Sequence, residues 1–497
     1  MDAFVIAFRL PDAARRMFGE GTLGISFIPV FTKTWNEDRP KAWAILSAML
    51  LWVFVILTAF VLTGETVCWI GYTFFSPESK VYLVSLLLAL LLPYLIVICL
   101  AAIAAATLQS IGHFLVPALI PSILNIVWLT GIIVLSNFYS GNPAMQCFLL
   151  SMCILIAGLI QFCIQIPVLH SLGLTFLPEH FALRQLFRPE IVSVLRGFLP
   201  QFFGLMALQV YVITASLIAW LFSGPADEMI RWLGRVVTFP MLPGAASAIY
   251  FSERIYEFPL GLFGIAISTA IYPLLSRHAA SNDYQELGAD LTLGVRIQLA
   301  LGIPASFGLM LLSEKLAHLL FQRGAFTPMD TFRTADVILY FAMGVWAFST
   351  LPTVIRAFYV LGDYKTPCKV GVIGILCNVL LGFCLIWPMQ ERGLAFAVSI
   401  TAAGHLILLG AIFAIKHGYI NFRQIIFCAC RAFSATLIMG GTVWWVMTSI
   451  PGTDSVADMV HILAASVVGT IVYFFAFRLF GGREIGILIR GRDRREQ

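Results

Sequence analysis

The sequence predicts an all-α, polytopic membrane protein, and three observations carry that prediction. Hydrophobic residues make up 60% of the chain and charged residues 11%, with a mean hydropathy of +0.92, whereas a soluble domain carries about 25% charged residues. The stretch from Val81 to Pro178 holds no Asp, Glu, Lys or Arg, far more than the roughly 18 apolar residues that mark one membrane span. The apolar runs lack the alternation of an outer-membrane barrel. Hydrocarbon offers backbone N–H and C=O groups no partner, so the segments must satisfy their own groups as helices.

Runs bounded by charge, Gly or Pro predict thirteen helices. The first, 1–32, ends before Lys33; 42–64 lies between Lys41 and Glu65; 80–108 opens at Lys80 and stops before Gly112. Helices 114–139 and 144–170 flank Gly141 and Pro143, and 191–222 runs from Glu190 to the Gly224-Pro225 break. Then follow 245–276 between Gly244 and Arg277, 291–321 before Arg323-Gly324, and 333–360 before Gly362-Asp363. Helices 367–388 and 393–416 are parted by Glu391-Arg392, and 424–450 and 459–479 by Pro451-Gly452.

Lys and Arg concentrate in alternate connections: Lys33, Arg39 and Lys41; Arg184 and Arg188; Arg277; Lys365 and Lys369; Lys416 and Arg423; and a tail with Arg483, Arg490, Arg492, Arg494 and Arg495. The positive-inside bias places these on the cytoplasmic side. The segments 65–79 and 451–458 carry acids or few charges, while 223–243, with Arg231 and Arg235, and Arg323 run against the trend.

A net charge of +5 without a basic, aromatic-interleaved cluster gives no support for nucleic-acid binding. The ten cysteines lie mostly inside apolar runs, and Cys428 and Cys430 lack partners at metal-ligand spacing, so they read as packing residues. His113, His170, His318, His405 and His461 are scattered, and no metal or cofactor is expected. No nucleophile elbow, paired-carboxylate or Walker arrangement is present, so the chain reads as neither an enzyme nor an ATPase. The opening residues, with Asp2, Arg9 and Asp12, lack the order of a cleavable signal peptide.

Laid on itself at an offset of about 250 residues, the chain repeats. Glu65 to Pro77 resembles Glu314 to Pro328, Gly112 to Pro117 matches Gly362 to Pro367, and Phe8-Arg9-Leu10-Pro11 resembles Tyr256-Glu257-Phe258-Pro259. The offset spans six helices, an even number, which predicts parallel repeats: two lobes facing a cavity. Helix 245–276 is preceded by helix 191–222, whereas its counterpart 1–32 is preceded by nothing. The expectation is a start placed too far downstream, with one helix lost.

Charges at membrane depth cost about 2.5 to 3.5 kcal/mol each and mark functional sites. Arg15 and Arg16 lie between Phe8 and Phe27, with Glu20 placed for an i,i+4 pair with Arg16. They fall in a stretch about four residues longer, between matching prolines, than its repeat partner; the competing reading is snorkelling to an interface. In the second half, Glu253 and Glu257 share a helical face with Arg254 one position off it. A forked guanidinium held by acids suits a phosphate group, against the alternative of an ion network that ties helices together. Pro11, Pro259 and Pro273 are candidate hinges.

The runs Leu320-Phe321-Gln322-Arg323-Gly324-Ala325-Phe326-Thr327, Arg356-Ala357-Phe358-Tyr359-Val360-Leu361-Gly362-Asp363, Gly264-Ile265-Ala266 and Pro273-Leu274-Leu275-Ser276-Arg277 closely resemble the MurJ (MviN) lipid II flippases, as do Asp2-Ala3-Phe4 and Val116 to Asn125. The resemblance extends over essentially the whole chain. It implies fourteen helices, two six-helix lobes in a V around a central cavity, and a C-terminal helix pair that forms a groove for a polyprenyl tail. On this chain the domains become an N-terminal lobe over 1–170, a cytoplasmic connection over 171–190 and a C-terminal lobe over 191–416 with an extra loop at 223–243. Groove helices over 417–479 and a basic cytoplasmic tail over 480–497 complete it.

The resemblance further implies that Arg15, Arg16 and Arg254 bind substrate, with Asp2, Glu20, Glu253 and Glu257 as supporting acids, in a multi-pass protein of the inner membrane. The implied cargo is lipid II, carried by alternating access beside membrane lipid, with cell-wall synthases as partners on release. The alternatives are an exporter of drugs or of another lipid-linked saccharide within the same superfamily, marked by lone cavity acids and aromatics, and a scaffold without transport. Two departures stand out. The family's opening helix, which also carries arginines, has no counterpart, and the acid of a cation site found in some members aligns with Ala215, so sodium coupling is not expected.

Overall fold

The computed structural model describes residues 1–19, 22–77, 79–138, 141–174, 188–225, 227–232, 235–449, 455–484 and 486. Nine helices among them are long and apolar enough to cross a membrane. The chain separates into two compact units, Met1–Met206 and Ala207–Gln497.

In the first unit, α1 (Asp2–Gly19) and α2 (Thr22–Glu37) cover the helix expected over 1–32, of which residues 20 and 21 lie outside the described ones. They lead into α3 (Arg39–Phe74), α4 (Lys80–Ser110), α5 (Leu115–Phe138), α6 (Pro143–Cys163) and the short α7 (Ile166–Ser171). Asp38 caps α3 by accepting from the Lys41 N–H at 3.1 Å, Ser79 caps α4 through the Tyr82 N–H at 3.1 Å, and Asn142 caps α6 through that of Met145 at 3.1 Å. Each cap satisfies one of the donors a helix leaves open at its start. Helix α4 lies at the centre, against α1, α2, α3 and α6. It can do so because it is apolar around its whole circumference, so that any side of it can meet a neighbouring helix or lipid.

The long α8 (Pro189–Leu221) carries the chain from the first unit into the second. The predicted loop 223–243 contains a two-stranded antiparallel hairpin, β1 (Met229–Trp232) with β2 (Arg235–Thr238), in register Met229 to Thr238. The fold is otherwise helical throughout the described residues, as the sequence predicts. Then follow α9 (Ala245–Pro259), a π-helical turn (Leu260–Ile265), α10 (Ala266–Ala280), α11 (Tyr284–Phe321), α12 (Pro328–Ala342), α13 (Val345–Val360), α14 (Lys365–His417), α15 (Phe422–Ser449) and α16 (Ser455–Leu479).

Helix α11 is the hub of this unit, with α10, α12, α13, α15 and α16 around it. Small residues let backbones approach: a Cβ at Gly302 would lie 2.9 Å from the Trp346 Cα, and one at Gly264 would lie 2.8 Å from the Ser349 Cα. The expected helix 333–360 is two, α12 and α13, bent by 42°, and the expected helix 245–276 contains the π turn that follows Pro259. Helix α14 has 53 residues, which at 1.5 Å each is far longer than a bilayer. At Gln390 the backbone turns to φ 56, ψ −141. The two apolar runs predicted on either side of residues 389–392 are therefore distinct spans joined at a sharp break.

Candidate functional site

Each unit carries one cationic cluster at the positions the sequence singled out. In the first, α1 buries Phe4, Val5, Ala7 and Phe8, with Phe8 5.7 Å from the Trp128 ring. Pro11 lies within this helix; its ring clashes with the carbonyl one turn back and loosens the ladder there. Directly after it comes Asp12, 4% exposed. Its Oδ1 accepts from the Nε and Nη2 of Arg15 at 3.4 and 3.0 Å, and its Oδ2 from the Nε and Nη2 of Arg16 at 3.1 and 2.9 Å.

One carboxylate thus engages both guanidinium forks. An acid that precedes its bases by three and four residues has the favourable orientation on a helix. Arg16 finds a partner one turn back in Asp12, while the expected forward pair with Glu20 lies outside the described residues. The spacing Asp12-x-x-Arg15-Arg16 is the sequence signal of this arrangement. Asp2 stands in the first turn of α1, near its positive end. Buried Arg9, 6% exposed, lies one turn before Asp12. Tyr94 on α4 is fully buried with its ring against Gly158.

In the second unit Gly244, at φ 93, opens α9 in a left-handed conformation that suits glycine. Helix α9 turns Ser252 into the packing, where its Oγ donates to the Thr334 carbonyl at 3.1 Å, and sets Tyr256 between Phe341 and Phe348 at 5.0 and 5.2 Å. Arg254, one position on from buried Glu253, lies 4.5 Å over the Tyr250 ring and pairs with Glu257 at 3.1 Å. Glu253, 2% exposed, is the inward acid and Glu257 the outer one.

The entry to α9 is fixed from outside the helix. Arg333 of α12 donates Nη1 to the Pro243 carbonyl at 2.9 Å and Nη2 to that of Leu242 at 3.2 Å, while its Nε binds Glu391 at 2.5 Å. Next to it Arg392 pairs with Asp336 at 3.1 Å.

A family model described as lipid II flippase MurJ matches residues 1–465. The chain belongs to the MurJ family of lipid II flippases. It is 29% identical over 464 residues to the probable lipid II flippase MurJ of Vibrio cholerae, covering 90% of this chain and 83% of that protein. Its fold resembles a solved lipid II flippase MurJ in an inward closed conformation, with a TM-score of 0.72 at 23% identity over 98% of this chain and 93% of that one. A multidrug resistance MATE transporter in an inward-facing conformation shares the fold at a TM-score of 0.65 and 12% identity, covering 84% and 90% of the two chains. Membership of the family makes the chain a multi-pass membrane transporter rather than a catalyst.

Three further polar groupings in this family member escaped the reading of the sequence. Lys315 and His318 on α11 and His461 on α16 converge on Asp458: the Lys315 Nζ lies 2.8 Å away, the His318 Nδ1 pairs closely and the His461 Nδ1 is at 4.0 Å. No group of three or more potential metal ligands forms among the described residues. Tyr211 meets His405 at 2.9 Å, joining α8 to α14. Arg296, Gln424 and Glu484 form a cluster that ties the residues after α16 to α11. Between α15 and α16 an open apolar depression of about 420 Å³ is lined by Ile438, Ile471, Val472, Phe475, Ala476, Leu479 and Phe480.

Proposed function

We propose that this protein moves lipid II, the lipid-linked peptidoglycan precursor, from the inner to the outer leaflet of the cytoplasmic membrane by alternating access, with Arg15, Arg16 and Arg254 as ligands of its diphosphate. The membership of the family supplies the cargo class. The observation that carries the residue assignment is the Asp12-Arg15-Arg16 cluster, two guanidiniums held on one carboxylate that is 4% exposed, in a chain with so few charges at membrane depth. In the second unit Arg254 is likewise a forked donor, oriented by Tyr250 and Glu257, and forked donors match the oxygens of a diphosphate.

Asp2, Glu253 and Glu257 keep the cationic side chains placed and limit the net charge; Glu20, the fourth acid of the expected set, lies outside the described residues. The wholly apolar depression between α15 and α16 fits a polyprenyl chain that stays in the bilayer while the polar head is carried across. Release on the outer side then follows loss of these contacts or capture by cell-wall synthases.

The test is complementation of a strain depleted of its own flippase. The wild-type chain restores growth, and Arg254→Ala abolishes it at equal protein abundance. Normal growth of that variant overturns the site assignment.

A further inference from the structure

We infer that Asp12 is a built-in competitor for the substrate's anion: its carboxylate occupies the forks of Arg15 and Arg16 so that the diphosphate binds weakly enough to leave. This inference rests on the reading of Arg15 and Arg16 as diphosphate ligands.

The geometry favours competition over simple neutralisation. Each guanidinium presents the same edge, Nε with Nη2, to a separate oxygen of Asp12, at 3.4 and 3.0 Å for Arg15 and at 3.1 and 2.9 Å for Arg16. Guanidinium edges of this kind are what phosphate oxygens engage in bidentate contacts. A carboxylate so placed holds two long side chains ready and lowers the charge of the trio from two positive to one. It also makes every phosphate contact an exchange of one charge-assisted hydrogen bond for another. The chain position enforces this, since Asp12 sits three and four residues before the arginines on the same helix, where the three side chains share one face. Arg254 carries the same device in the second unit: Glu257, three residues on, takes its Nη1 at 3.1 Å.

A carrier needs a site that is attractive enough to load and weak enough to empty, the compromise that governs permeation sites generally. Without Asp12 the two arginines would grip a doubly ionised diphosphate and release it slowly. Asp12 therefore acts as a positioning residue that trades affinity for turnover.

The experiment uses the full chain in lipid nanodiscs. Binding of lipid II and of undecaprenyl diphosphate is measured for wild type, Asp12→Asn and Arg15→Ala/Arg16→Ala, alongside flipping in proteoliposomes. Asp12→Asn keeps the shape and removes the charge. The expected result is affinity tighter by about tenfold, the effect of a modest gain in binding free energy, with a steeper salt dependence and slower flipping. Weaker or unchanged binding by Asp12→Asn, while the double alanine variant loses binding, overturns the competitor role alone. Retained binding by the double variant overturns the underlying site reading instead. If Asp12→Asn does not insert, Asp12→Ser serves, with the same outcomes. A purely structural aspartate would lower abundance and binding together and would never tighten binding.

Discussion

Arg333 and Glu391 are 58 residues apart in sequence and 2.5 Å apart in space, with Glu391 4% exposed. The same guanidinium holds the carbonyls of Leu242 and Pro243, so one side chain fixes both the segment that enters α9 and the break in α14 beside Gln390. Removing one partner of a buried pair strands the other charge, at a cost of about 3 to 5 kcal/mol. Arg333→Ala is therefore expected to lower the thermal midpoint of the purified protein sharply. It should also reduce transport, because the helix that bears Arg254 loses its anchor. Arg333→Lys should recover little, since an ammonium cannot span three acceptors as a fork does. A midpoint unchanged in Arg333→Ala would contradict the anchoring role.

The π turn after Pro259 brings Gly264 against α13, where an added Cβ would stand 2.8 Å from the Ser349 Cα and 3.1 Å from its carbonyl oxygen. Backbone cannot move aside as a flexible side chain can. Gly264→Val is expected to cost about 1 to 3 kcal/mol through overpacking, seen as a lower midpoint in scanning fluorimetry. Gly261→Ala, three residues earlier and with nothing within 4 Å of its Cβ position, is the matched control and should be nearly silent.

Acid should loosen the C-terminal attachment. Burial works to raise the pKa of Glu484, but backbone N–H groups and the Arg296 guanidinium outweigh it and hold the carboxyl below its usual 4.5. At the α13–α14 turn burial likewise opposes, and is outweighed by, the Lys416 ammonium and Thr366, which hold Asp363 below 3.8. A carboxyl whose folded pKa is depressed contributes stability that is complete above its unfolded pKa and is lost as pH falls through the folded one. The midpoint should thus be flat from neutrality down to about pH 5 and fall below about pH 4. Glu484→Gln should be less stable at neutral pH, and its deficit should shrink in acid. A deficit that is constant with pH would remove Glu484 as the cause.

The apolar depression between α15 and α16 offers a test of where the lipid tail runs. Ala476 and Ile471 both line it, and Ala476→Trp with Ile471→Trp would fill much of its 420 Å³. Transport of lipid II with its full polyprenyl chain is expected to fall, whereas an analogue with a short chain should be affected far less. Equal loss for both would place the tail elsewhere.

Much of the architecture was legible because hydrocarbon leaves the backbone so few choices. Helix ends at Lys80, Gly244 and Phe321 fell within a residue or so of charges, Gly or Pro in the sequence. Composition missed what depends on short-range geometry: the hairpin formed by Met229–Trp232 and Arg235–Thr238, the bend between Ala342 and Val345, and the π turn. At the site, Arg15, Arg16 and Arg254 stood out as rare charges, while Asp12 did not, although its spacing to the arginines was visible. The contact of Lys315 and His318 with Asp458 and its neighbour His461 joins two helices whose residues lie about 140 positions apart. No spacing rule reaches that far, so only the packing of α16 on α11 could reveal it.

That packing has a mechanical side. Helix α16 meets α11 through Asp458 at its first turn and through Glu484 just past its last, and at Tyr473 its hydroxyl reaches the Ala300 carbonyl. A rod fastened at both ends can bow or twist about its long axis but cannot swing away. The wall that α16 lends to the apolar depression is therefore compliant yet permanently attached, and a chain of lipid can slip along it, one methylene after another, without the protein ever having to open a door.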